Sequence, residues 1–227
     1  MLSAQEQALL DKEEESLTPE EVVLVKWIKR RYTLFSKYDK GIRISSEMWY
    51  SVTPEKVANL VANDVKTTFP WATTIIDICG GAGGNSIAFS RLEFKTIYID
   101  INPSVAQDAA HNAGIYRCHN IEFYVGDALE FKFSEIADPK VTVIHASPEW
   151  GGPAYGLQQE FDIDQCKPSC TVLLKHLRKQ GFRNIVLFLP KSSNIGQLEA
   201  AGCCRIDYLH FANRRMGMAA YWISQPK

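Results

Sequence analysis

No stretch of the chain stays apolar for the ~18–20 residues that a membrane-spanning helix needs, because charges cut every long hydrophobic run. No signal or transit peptide is expected either. The N-terminal region carries Asp11-Lys12-Glu13-Glu14-Glu15, the wrong sign for a signal or transit peptide. The sequence is therefore read as that of a soluble, intracellular protein. An excess of one charge is also missing. Lys and Arg number 25 against 26 Asp and Glu, a net charge of −1. That excludes a protein that coats nucleic acid through bulk electrostatics and leaves only a local site for such a role. Metal-type spacing is absent too. The six cysteines (Cys79, Cys118, Cys166, Cys170, Cys203, Cys204) form no Cys-x-x-Cys pair and no zinc pattern with the five histidines. Neither Cys118-His119 nor Cys203-Cys204 alters that, so the expectation is reduced thiols and no metal. What remains is 227 residues, 46% of them hydrophobic, enough for the full core of one domain.

Residues 1–17 are acidic and lack a clear apolar face, and are read as a flexible tail or loose helix. Thr18-Pro19-Glu20-Glu21 is a capping box with Pro at the first helical position. The helix it opens ends on Lys29-Arg30-Arg31, cations suited to the negative end of the helix dipole. Thr53-Pro54-Glu55 is a second start signal, ahead of Val57, Leu60, Val61 and Val65 at helical spacing. From residue 73 short β-rich runs alternate with helical ones: 74–79, 96–100, 121–125, 141–145 and 184–189. Near-continuous apolar strands between helices imply a parallel sheet covered on both faces. At the end, 205–211 and 218–223 flank Asn213-Arg214-Arg215-Met216-Gly217, a predicted hairpin turn. The expected fold is a doubly wound, mostly parallel α/β sheet of seven strands with a C-terminal antiparallel hairpin. The expected organisation is a tail (1–17), a helical extension (18–70) and a catalytic domain (71–227).

A glycine-rich turn, Gly80-Gly81-Ala82-Gly83-Gly84-Asn85, follows the first strand. Such a turn presents backbone N–H groups and a helix N-terminus to a ligand. The spacing Gly81-x-Gly83-x-x-Ser86 lacks the third glycine of the dinucleotide fingerprint. Asp77, inside the preceding strand, would repel a pyrophosphate but could hold an ammonium. Asp100, with Ile101, ends the next strand, where two ribose hydroxyls would lie. Asp127-Ala128 follows the third, near an adenine edge. An ammonium, a ribose and an adenine without phosphate describe S-adenosylmethionine better than a nicotinamide cofactor. A domain whose carboxylates merely cap strand ends is the remaining alternative.

The fourth strand runs into Ser147-Pro148-Glu149-Trp150-Gly151-Gly152-Pro153-Ala154-Tyr155, at the sheet edge where ligands of open α/β folds bind. This combination suits methylation of an amine on a flat ring. The Ser147 hydroxyl and the Pro148 carbonyl can accept the amine N–H bonds, and Trp150 offers the best face for a cationic ring.

This loop resembles that of the trimethylguanosine synthases, RNA cap hypermethylases whose loop reads Ser-Pro-Pro-Trp-Gly-Gly-Pro followed by an acidic residue and Tyr. Tyr32-Thr33-Leu34-Phe35-Ser36, Trp49 to Lys56, Asp77 to Asn85, Phe161-Asp162-Ile163 and Phe188-Leu189-Pro190 also resemble that family's segments in the same order, over roughly residues 24–223. The resemblance implies transfer of methyl groups from S-adenosylmethionine to the 2-amino group of a 7-methylguanosine cap. Under it Ser147, Pro148 and Trp150 hold and orient the base, while Lys26 and Lys191 meet the cap phosphates. Lys191 stands where the family usually has Arg. Phe35, Thr53 and Pro54 close a cofactor site that also includes Asp77, Gly81, Gly83, Asn85, Asp100, Ile101, Asp127, Ala128 and Ser147. Its association with small nuclear RNA implies a nuclear protein, expected to be a monomer with capped RNA as partner. Two departures stand out. Glu149 replaces the second proline, which is expected to loosen the loop and favour a singly methylated product. Ala154 replaces the acidic residue. A cap-binding module without catalysis and a methyltransferase for another planar amine, such as adenine, are the alternatives.

Overall fold

The computed structural model describes residues 2, 4–46, 48–152, 158–211 and 214–224. Seven strands form one sheet: β1 (Thr74–Ile78), β2 (Lys95–Asp100), β3 (Ile121–Val125), β4 (Thr142–Ala146), β5 (Ile185–Leu189), β6 (Arg205–Phe211) and β7 (Arg214–Trp222). Their order is β3-β2-β1-β4-β5-β7-β6, parallel except where β7 runs against both β5 and β6. The predicted doubly wound fold is therefore the one observed. No helix among the described residues is long and apolar enough to cross a membrane.

The period of two along each strand divides the core. Ile76 and Ile78 of β1, with Ile144, Ala146 and Ile185, face Leu173, Leu174 and Leu177 of α7 (Cys170–Lys179) and Leu198 of α8 (Ile195–Ala200). Ile75, Val143 and Val186 face the other way. They pack against Val57, Val61 and Val65 of α4 (Glu55–Thr68) and Phe89 of α5 (Gly84–Arg91). Leu60, which shares the helical spacing, is 48% exposed because it falls outside that stripe.

The N-terminal part is helical throughout much of its length. The residues read as a tail include α1 (Ala4–Leu10), whose Leu9 and Leu10 lie against a cluster containing Leu34, Tyr38 and Trp49. α2 (Pro19–Lys29) carries the predicted capping box: Glu21 N–H donates to Thr18 Oγ1 (3.2 Å) and Thr18 N–H to Glu21 Oε2 (3.0 Å). A short α3 (Arg31–Leu34) follows. Thr53 does not cap α4. Pro54 holds that position without a side-chain bond, and Thr53 is turned inward to Asn85.

The C-terminal hairpin differs from expectation. Arg214 to Gly217, predicted as turn, lie in β7, which pairs Arg214 with Phe211 and Arg215 with His210. Asn213 lies outside the described residues. The reason lies in Gly217: a Cβ there would stand 2.7 Å from the Phe188 ring and 2.8 Å from the Leu189 carbonyl. Its glycine serves a close approach of strands, not a bend.

Glu55 ties the extension to the sheet-covering helices. Its Oε2 accepts from Ser36 N–H (2.6 Å) and from the Tyr116 hydroxyl (2.7 Å) of α6 (Pro103–Tyr116). Arg91 stands 3.5 Å from Oε1. Burial raises this carboxyl's pKa, but the Ser36 and Tyr116 hydrogen bonds outweigh it and hold the group below the usual carboxylate range. Glu55→Ala should therefore lower stability by about 2 kcal/mol in urea titration. The contribution is present above the ordinary glutamate pKa and is lost as pH falls through the lower native value, so variant and wild type should converge in acid.

Candidate functional site

A cavity of about 730 Å³ opens at the carboxyl ends of β1, β2 and β4, between the glycine loop, the Ser147–Trp150 loop and the N-terminal helices. Its floor is set by backbone geometry. Cys79 (φ 57°) and Gly81 (φ 52°) take left-handed conformations as the chain leaves β1. A Cβ at Gly80 would lie 2.3 Å from the Tyr98 ring, so only glycine fits there. The Tyr98 hydroxyl in turn donates to the Gly81 carbonyl at 2.8 Å.

Asp100 lines the cavity and is locked in place by Gly81 N–H on Oδ2 and Asn102 N–H on Oδ1, each at 3.0 Å. Burial pushes its carboxyl above the ordinary aspartate range, with the Asn102 and Gly81 amides pulling the other way. Ile101, 65% exposed, and Asp127 with Ala128 line the same wall. Asp127 Oδ1 accepts from Leu129 N–H at 2.8 Å. Thr53 and Asn85 line the opposite wall, where Asn85 Nδ2 donates to Thr53 Oγ1 at 3.3 Å. Asn85 is 7% exposed and its Oδ1 has no protein partner. A buried acceptor on a cavity wall calls for a ligand donor.

Four predicted cofactor residues are not among those lining the cavity. Asp77 is fully buried beneath it, between His145 Nδ1 on Oδ1 (2.8 Å) and the Ser86 hydroxyl on Oδ2 (2.5 Å). The strand period turns it toward α5, and Asp77 and His145 are register partners of β1 and β4. Its carboxylate thus joins two strands and a helix beneath the cavity. Gly83 (φ 87°) starts α5 and packs against Ala109, 3.2 Å from where its Cβ would be. Phe35 is 1% exposed in the N-terminal core, 6.2 Å from the Tyr116 ring. Pro54 serves as the N-cap of α4.

The second loop is held by β1 and β5. Ser147 N–H donates to the Ile78 carbonyl (3.2 Å), continuing the β1–β4 ladder into the site. Ser147, Pro148, Glu149 and Trp150 all line the cavity. The Trp150 ring leans on Phe188, centroids 5.3 Å apart, and Phe188 occupies the space that Gly217 leaves. Glu149 is exposed, yet its backbone is not loose. Glu149 N–H donates to Lys167 O (3.1 Å) and Lys167 N–H to Glu149 O (2.9 Å). Proline has no N–H for the first of these, so Glu149 adds a restraint where loosening was expected. Pro153, Ala154 and Tyr155 lie outside the described residues.

Lys26 lines the cavity from α2, whereas Lys191 is exposed beyond β5 and is not part of the lining. Sequence reasoning missed Trp27, Tyr50, Lys167 and Pro168, which all line it. Tyr50 was within reach: Trp49 is 1% exposed and Tyr50 40%, so only the second of two adjacent aromatics is offered to a ligand.

A family model described as RNA cap guanine-N2 methyltransferase matches residues 72–225. The trimethylguanosine synthase of Schizosaccharomyces pombe is 36% identical over 183 residues, covering 79% of this chain and 75% of its own. That of Saccharomyces cerevisiae is 32% identical over 213 residues, covering 88% and 67%. Among solved structures, a protein of Porphyromonas gingivalis W83 has a TM-score of 0.65 at 16% identity, covering 96% of this chain. This chain spans about half of that one (53%). The magnesium protoporphyrin IX methyltransferase of Synechocystis PCC 6803, solved with bound SAM, has a TM-score of 0.55 at 11% identity over 93% and 100% of the two chains. These structural likenesses are likenesses of fold.

The buried carboxylate gives the site a test of its own. Asp77→Ala would leave the His145 Nδ1 and the Ser86 hydroxyl without their buried partner, at about 1–3 kcal/mol each. A large fall in thermal stability should result. A variant as stable as wild type, with only cofactor affinity reduced, would return Asp77 to the ligand.

Proposed function

The chain belongs to the RNA cap guanine-N2 methyltransferase family, and on that premise we propose that this one cavity holds both S-adenosylmethionine and the capped end of an RNA. The chain is an S-adenosylmethionine-dependent enzyme whose substrate is capped RNA. The observation that carries the site reading is that Asp100 and the Ser147–Trp150 loop line a single cavity. The cofactor fits the residues present. Asp100 offers an acceptor to ribose hydroxyls, Asp127 and Ile101 offer an edge and a face to an adenine, and Asn85 Oδ1 is the unpartnered acceptor that an ammonium needs. Asn85 thus takes the part first given to Asp77.

When bound, S-adenosylmethionine supplies an electrophilic methyl on a sulfonium. The chain's own residues do the rest. Trp150 presents a rigid face to 7-methylguanine, whose positive charge the ring quadrupole attracts. The Ser147 hydroxyl and Pro148 carbonyl accept the exocyclic N–H bonds, turning the nitrogen lone pair out of conjugation and toward the methyl. Alignment in a site shielded from water carries most of the rate, and the amine proton leaves to solvent after transfer. Lys26 meets the cap phosphates from α2, and the extension 18–70 is the segment that completes the site. A nuclear setting, small nuclear or nucleolar clients and a monomeric state are part of the proposal. With the loop pinned by Lys167, the case for a single methyl rests on the Glu149 carboxylate alone.

The direct test is mass spectrometry of a 7-methylguanosine cap dinucleotide incubated with enzyme and S-adenosylmethionine. Addition of methyl groups to the guanine amine is expected, and no addition to adenosine or to an unmethylated cap at the same rate. Trp150→Ala should lose ~1–3 kcal/mol of base stacking, seen as a collapse of kcat/KM for the cap with cofactor affinity retained. Retained activity in a folded variant would move the base elsewhere. The acidity of Asp100 gives a second readout. Ribose hydroxyls donate to its ionised form, so cofactor affinity should fall as pH drops through a value above that of an ordinary aspartate. Asp100→Asn should flatten that profile and weaken binding by about 1.5–3 kcal/mol in calorimetry.

A further inference from the structure

The near-neutral net charge conceals a strong asymmetry. Between Asp164 and Glu199 the chain has no acidic residue at all, yet it holds six of its 25 cations: Lys167, Lys175, Arg178, Lys179, Arg183 and Lys191. The remainder of the chain is correspondingly acidic. Four of the six come together on one surface. A second concavity of about 460 Å³ is lined by Thr171, Leu174, Lys175, Arg178, Lys179, Arg183 and Ala201. The helical period explains the gathering: positions 171, 174, 175 and 178 share one face of α7, and Lys175 and Lys179 stand one turn, ~6 Å, apart. Lys175, Lys179 and Arg183 are exposed and make no ion pair among the described residues. Arg178 is held in place by its bond to the Ala201 carbonyl, 2.7 Å.

Unpaired cations lining a concavity repel one another and favour an anion with several charges in a row. One segment of chain borders both this concavity and the candidate active site. Lys167 and Pro168 line the first cavity, and Thr171, three residues past Pro168, lines the second. None of the residues lining the groove is aromatic, so it suits backbone phosphates and not stacked bases. We infer that the α7 groove binds the phosphates of the RNA chain downstream of the cap, independently of sequence. This deepens the reading of the first cavity as a cap site and rests on it for the identity of the polyanion.

The test compares two substrates and two readouts. Binding of a fluorescent, capped, single-stranded RNA of about a dozen nucleotides is followed by anisotropy, and methylation of the cap dinucleotide by mass spectrometry. Three single-strand phosphate contacts make affinity fall roughly twentyfold between 50 and 200 mM salt. The wild-type protein should show that excess salt dependence for the RNA over the dinucleotide. The triple variant K175E/K179E/R183E should bind the RNA roughly tenfold or more weakly at 50 mM salt and lose the excess. Its kcat/KM on the dinucleotide should stay within about twofold, since none of the three lines the first cavity. The neutral variant K175Q/K179Q/R183Q should fall between the two. Unchanged RNA binding in the charge-reversed protein would overturn the inference. So would a polyglutamate peptide of matched charge that competes as well as the RNA, which would make the groove a protein-docking surface. A dinucleotide left unmethylated by wild type and variant alike would defeat the cap reading instead, while anisotropy still decides the groove.

Discussion

The pairing of β1 with β4 is the contact on which the site depends. Five residues of each strand lie in register, and the ladder continues past the strand ends through the Ser147 N–H to Ile78 carbonyl bond. That last bond ties the Ser147–Trp150 loop to the end of β1, where the glycine loop begins, so the two loops cannot drift apart without breaking the sheet. Beneath it, Asp77 and His145 meet side by side across the same two strands, with Ser86 binding the start of α5 to the pair. A buried carboxylate is costly unless it is fully partnered. Here its two oxygens each find a partner, one on β4 and one on α5. The polar cluster therefore fixes the distance between strand, strand and helix at the level just below the ligand.

A second line of support runs sideways through glycine. Gly217 leaves room on β7 for the Phe188 ring of β5, and Phe188 supports Trp150. A ring proposed to stack on a base serves best when its own rotamer is fixed beforehand. The hairpin that closes the sheet thus contributes to a site its residues do not line. The Glu149–Lys167 bridge acts on the preceding residue of the same loop. Trp150 is therefore buttressed by packing at its ring and by two backbone hydrogen bonds at the residue before it.

Local signals were legible because their physics is local. The capping box at Thr18, the alternation of strands and helices and the glycine turn each depend on residues a few positions apart, and each formed where expected. Where the structure places a residue differently from the local reading, tertiary direction decides. Asp77 and Ile78 differ by one position and hence by a whole face of the sheet, and only the partner His145 on the neighbouring strand reveals which face wants a carboxylate. Thr53 was read as a cap because Thr-Pro-Glu has that form. It instead bonds to Asn85, 32 residues away, which no spacing rule could supply. Gly83 and Phe35 carry motifs that fit a ligand and a core equally well. Packing chose the core.

Composition misled in one instructive way. A net charge of −1 correctly excludes a uniformly basic surface, but it is an average over a chain whose signs are segregated along the sequence. Electrostatic attraction acts over a Debye length of about 8–10 Å, so a surface is felt by its neighbours and not by its total. One helix face and the loop after it can be strongly cationic while the acidic N-terminal region restores neutrality elsewhere. That arrangement has a physical advantage for an enzyme acting on one end of a long polyanion. A uniformly basic protein would hold the RNA anywhere along its length, whereas a cationic groove on a chain of near-neutral net charge would favour one stretch of the strand over the rest.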